Sequence, residues 1–92
     1  MSKVILSGYI LVEESELTII KDALLTHIEL TKNEPGCIVF EVSQDSDHSH
    51  RFNVYEEFID DTSFKAHQSR VANSKWGEVT VNVERHYQIS HH

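Results

Sequence analysis

Between Arg51 and Trp76 the spacing of the apolar residues changes once, and that change limits the fold more than any other feature of the chain. Phe52, Val54 and Phe58 alternate along one face of a strand, and the remaining position in that row is a carboxylate, Glu56. Asp60 and Asp61 then offer helix caps, and Phe64, His67 and Val71 recur at helical spacing. If the helix folds straight back over its strand, Glu56 lies roughly 13 Å from the turn at about 3.3 Å per residue, and His67 roughly 9 Å at about 1.5 Å per residue. The spacing therefore predicts that a carboxylate and an imidazole meet beneath the helix.

Around this unit the chain repeats the same two periods. Lys3 to Val12 alternates with apolar residues on both faces, so both faces of that strand need cover: helices on one side and, most simply, a second copy of the sheet on the other. Glu13 to Asn33 reads as a long helix with Ser15 as N-cap and Leu17, Ile20, Leu24, Ile28 and Thr31 toward the sheet. Glu34-Pro35-Gly36-Cys37 ends it in a turn, because Pro35 breaks the ladder and Gly36 permits positive φ. Cys37 to Ser43 forms the next strand, with Ile38, Phe40 and Val42 on one face, and the polar loop Gln44 to His50 joins it to Arg51 as a long hairpin. Trp76-Gly77 breaks the pattern after the second helix, and Glu78 to Ser90 alternates again, with Val79, Val81, Val83, Arg85, Tyr87 and Ile89 on one face, as the last strand or a strand with a short one before it. The order βαββαβ predicts an α+β, ferredoxin-like fold, an antiparallel sheet with two helices on one face, in a single domain spanning 1–92.

Composition narrows the function classes. Fifteen acidic residues against eight basic ones leave a net charge of -7 with no basic cluster, which disfavours nucleic acid and anionic membrane surfaces. The amino terminus lacks a continuous apolar run, so no signal peptide or membrane span is expected, and a lone Cys37 suits a cytoplasmic home. His91 and His92 are set aside as a possible tag remnant.

Taken together, Glu34-Pro35-Gly36-Cys37, Arg51-Phe52, Tyr55-Glu56, Phe64-x-Ala66-His67 and Trp76 nine residues after that His resemble the antibiotic biosynthesis monooxygenase family over nearly the whole chain. The resemblance implies a homodimer, a dimeric α+β barrel whose two sheets face each other, with a pocket between sheet and helices in each subunit. It also implies cofactor-free oxidation of small aromatic quinols or phenols by dioxygen, or isomerisation of a small compound on the same scaffold, with Glu56 and His67 lining the pocket. Two departures stand out. The second His that relatives often carry five residues after the first is Ala72 here, and Ser7 and Tyr9 replace the first-strand Asn of the haem-degrading branch.

Oxidising a quinol without flavin or metal requires removal of a phenolic proton, and a His oriented by a carboxylate suits that task. His67 is thus the candidate base and Glu56 its orienter; the bland alternative is a buried structural pair, or a pairing with Arg85 on the apolar face of the last strand. Trp76 is a candidate wall for an aromatic ligand, set against ordinary core packing, and Arg70 a candidate partner for an anionic substrate, set against a solvated helix-surface residue. Arg85 completes the substrate-binding candidates. Asn53 and Tyr55 fall on the opposite strand face with Glu57 and read as interface residues, while Cys37 reads as a small strand residue. His27, His48, His50 and His86 lack metal-ligand spacing, so no metal is expected. A non-catalytic ligand-binding or stress-related dimer is the remaining reading.

Overall fold

The structure, a computed structural model, describes residues 3–92. Strands Val4–Leu11 (β1), Cys37–Gln44 (β2), Arg51–Phe58 (β3) and Glu84–His91 (β4) form one antiparallel sheet in the order β2-β3-β1-β4. Helices Leu17–Lys32 (α1), Asp61–Ala72 (α2) and Lys75–Val79 (α3) cover one face, which makes the fold ferredoxin-like α+β with a third, short helix added. No helix among the described residues is long and apolar enough to cross a membrane.

Alternation fixes which side chains face the helices. Val4, Leu6 and Ile10 of β1 and Phe52, Val54, Glu56 and Phe58 of β3 are all buried. The antiparallel register aligns Phe40, Glu56, Leu6 and Ile89 in one transverse row, so the carboxylate sits in mid-sheet with apolar neighbours on either side. The core divides into two apolar clusters, one around Ile10, Ile20, Leu24 and Phe52 and one around Val4, Leu6, Phe58 and Phe64. Each such side chain contributes about 1.5–3 kcal/mol on burial. The buried His27, Thr31, Glu56 and His67 belong to neither cluster.

Three expectations from the sequence need correction. Ser15 is not a helix cap: it lies inside a 3-10 turn, Glu14–Glu16, and α1 begins only at Leu17. Ile38 does not share a face with Phe40 and Val42, because a β-bulge between Cys37 and Val39 turns it out to solvent. No strand begins after Trp76-Gly77, which sits within α3, where the Ser74 hydroxyl accepts the Gly77 N–H at 3.2 Å; β4 starts at Glu84, not Glu78. The alternation of Val79, Val81 and Val83 imitates a strand, yet Val79 and Val83 pack on the core from α3 and the loop after it while Val81 is exposed.

Candidate active site

The turn after α1 brings the decisive carboxylate into place. Gly36 has φ +88°, a conformation that favours glycine, and its carbonyl accepts the Ile59 N–H at 2.9 Å, which ties the turn to the end of β3. Glu34, two residues earlier, consequently faces α2. Asp60 caps that helix by accepting the Ser63 N–H at 2.8 Å, and the helical period then carries His67 and Arg70 round to Glu34.

His67 Nδ1 lies 2.7 Å from Glu34 Oε1, and Arg70 Nε donates to Glu34 Oε2 at 2.6 Å. Arg70 Nη2 also donates to the Thr31 hydroxyl at 3.0 Å, and that hydroxyl donates to the His27 carbonyl at 2.7 Å. A carboxylate can only accept, so Nδ1 of His67 carries the proton and Nε2 presents its lone pair. That Nε2 faces Glu56 Oε1 at 3.6 Å, beyond hydrogen-bond length. The orienter of His67 is thus Glu34 and not Glu56, because Glu34 occupies the nitrogen that an orienting carboxylate must hold.

Burial sets the protonation states. His67 is 4% exposed, and desolvation pushes its pKa down from the ordinary imidazole value, with the bond to Glu34 and its charge opposing the shift. Glu56, 6% exposed, is raised to about 7, chiefly by burial and then by the Glu34 charge. Its Oε1 is buried without a hydrogen-bond partner, a costly state that persists only where something compensates for it. Around neutral pH the pair is thus an imidazole that burial keeps toward its neutral form, facing a carboxyl group raised to about 7 across a gap too long for a direct hydrogen bond.

His27, set aside in the sequence, proves central. It is 4% exposed, stacks on Trp76 with ring centroids 4.8 Å apart, and lies 6.0 Å from the His67 ring. Burial first, then repulsion from His67 whenever that ring is protonated and from the Arg70 guanidinium, lowers its pKa to about 3, so it is neutral. Phe40 meets both imidazoles edge-on, and Phe58 lies 4.9 Å from the His67 ring. The helical stripe already pointed to His27, which stands three residues after Leu24 and four before Thr31.

Of the residues singled out in the sequence, the structure brings His67, Glu56 and Arg70 into one group and joins Trp76 to it through His27. Arg85 stands apart: its Nη2 donates to the Thr80 carbonyl at 3.1 Å and Oγ1 at 3.3 Å, closing the loop into β4. Asn53 and Tyr55 lie on the other sheet face as expected, Tyr55 donating to Glu57, which also pairs with Lys3 at 2.9 Å. Among the described residues no group of three or more His, Cys, Asp or Glu is arranged to hold a metal ion.

The model of a protein family described as antibiotic biosynthesis monooxygenase matches residues 4–78. Solved structures share the fold. A Bacteroides thetaiotaomicron protein, described as of unknown function and a possible oxidoreductase, superposes with a TM-score of 0.83 at 18% identity, over 99% of this chain and 98% of its own. A Nitrosomonas europaea protein provisionally named an antibiotic biosynthesis monooxygenase gives 0.79 at 21% identity, over 99% and 88%. A Shewanella oneidensis protein gives 0.74 at 25% identity, over 99% and 90%. No curated protein sequence matches the chain.

Proposed function

Because the chain belongs to the antibiotic biosynthesis monooxygenase family, we propose that it is a cofactor-independent monooxygenase that oxidises a small aromatic quinol or phenol with dioxygen, as a homodimer. One observation carries the reading: a buried, neutral His67 is held through Nδ1 by Glu34, so that Nε2 is free to take a proton.

In this mechanism a phenolic hydroxyl reaches Nε2, displacing the long contact with Glu56, and His67 takes its proton. The phenolate gives one electron to dioxygen, and the resulting radical pair combines at a ring carbon as a peroxide. Loss of the ring proton with cleavage of the O–O bond leaves the quinone and hydroxide, and His67 returns its proton to the hydroxide as water. One oxygen atom enters the ring and the other leaves as water, so atoms and electrons balance. Glu34 and Arg70 hold the imidazole in one tautomer and one orientation throughout.

A second reading has its own support. Glu56 at about 7 beside a neutral imidazole suits transfer of a proton between two carbons of a small carbonyl compound, an isomerisation that consumes no oxygen. Oxygen uptake over a panel of hydroquinones and naphthols separates the two. The oxygenase reading expects one dioxygen per substrate in air and no turnover under argon. Turnover that continues unchanged under argon would establish the isomerase and remove the oxygenase.

A further inference from the structure

Next to the His67–Glu56 pair, a cavity of about 110 Å3 opens between α1 and the corner where α2 meets α3. Ala23, His27 and Leu30 form its α1 side, and Arg70, Lys75 and Trp76 stand across from them. Neither His67 nor Glu56 lines it. We infer that this cavity is a binding site for a single-ring organic anion, of the size and charge of an aromatic carboxylate.

Size limits the occupant first. A cavity of about 150 Å3 lined by apolar side chains takes up benzene, whereas pockets for larger organic molecules begin near 300 Å3. This cavity is smaller than that benzene site but open to solvent, so one six-membered ring can seat between Ala23, Leu30 and Trp76 only with its charged end outside the mouth, and a fused pair of rings does not fit. Stacking on His27 holds the Trp76 indole in place, so the aromatic wall is set before a ligand arrives.

Charge limits it next. The walls carry two cations, Arg70 and Lys75, and no carboxylate of their own, in a chain where acidic residues outnumber basic ones fifteen to eight; Glu34 pairs with Arg70 at 2.6 Å from behind the wall, and Glu78 stands 3.9 Å from the exposed Lys75. Arg70 is fixed at the wall by its bonds to Glu34 at 2.6 Å and Thr31 at 3.0 Å, so an anion meets an ordered guanidinium rather than a mobile one. His27, also in the wall, has a buried Nδ1 without a hydrogen-bond partner, which leaves this region with unmet polar capacity. The occupant touches the Arg70 that positions Glu34, not the base itself. The site is thus separate from the reacting position and stands whether or not the oxygenase reading does.

Trp76 is the only tryptophan of the chain, so all tryptophan emission comes from the cavity wall, where the indole also meets His27 and the core. The experiment titrates the whole protein with benzoate, benzyl alcohol and 2-naphthoate by calorimetry, and follows Trp76 fluorescence with benzoate. Benzoate is expected to bind saturably and shift the emission, with benzyl alcohol about tenfold weaker or worse and 2-naphthoate not bound. Ala23→Leu, which fills the cavity with a good helix former, should abolish benzoate binding, and Lys75→Glu should weaken it by about tenfold. Absence of saturable benzoate binding, equal binding of all three compounds, or binding untouched by Lys75→Glu would overturn the inference. Should Ala23→Leu fail to fold, Lys75→Glu at its exposed position carries the decision. Neither result depends on oxygen uptake.

Discussion

His67 has two nitrogens in opposite circumstances, and the account rests on that difference. Nδ1 is held at 2.7 Å by Glu34, while Nε2 faces Glu56 at 3.6 Å. Glu34→Gln keeps an acceptor but removes the charge that supports the protonated imidazole, so turnover should fall about tenfold or more with oxygen uptake as the readout, and less than on loss of His67 itself. Glu56 makes a separate prediction through stability. Its pKa rises from 4.5 to about 7 on folding, so the native state binds the proton more tightly, and stability present below about pH 4.5 is lost as pH climbs to about 7. His27 and His67, both shifted down, act oppositely and lose stability on acidification. The difference between wild type and Glu56→Gln isolates the Glu56 contribution: the variant should gain, relative to wild type, on the order of 3 kcal/mol between pH 4.5 and pH 8 in denaturant unfolding. At this scale the sequence revealed His67 and Glu56, because strand and helix periods fix which faces meet. It hid the role of Glu34, whose direction depends on a turn that periodicity does not describe.

Elements were legible where their period ran long and obscure where it was short. β1, α1, β3 and α2 each persist for eight or more residues, enough for alternation or a helical stripe to be unambiguous. α3 has five residues, and its start depends on the Ser74 cap, while the valines that follow imitate a strand. The α1–β2 turn offers the sharpest test at this level. A methyl group on Gly36 would stand 2.2 Å from Ser63 Oγ at a φ of +88°, so Gly36→Ala should cost more than about 1 kcal/mol in unfolding and should also lower turnover, because the same turn aims Glu34. Unchanged stability with full activity would detach the turn from the site.

As a whole molecule, the chain leaves one side of its sheet without helices, and the edge strand β4 is exposed along its entire length even on the helix side, where Tyr87 is 38% and Ile89 51% exposed. An edge strand of that kind calls for a partner, and a second copy of the sheet is the proposed cover, so sedimentation should report a dimer at micromolar concentration. Only a monomer would remove the homodimer from the proposal. The proposed catalysis belongs to this scale too, since it needs the turn, α1, α2 and the sheet in register at once. The most direct measurement is the rate of oxygen uptake by wild-type protein and His67→Ala on the same quinol, with the variant's fold checked by its thermal unfolding. Removing the base should slow uptake by about 10²- to 10⁴-fold while leaving the fold intact. A folded His67→Ala that consumes oxygen at the wild-type rate would contradict the account, because no other step in it provides for loss of the phenolic proton.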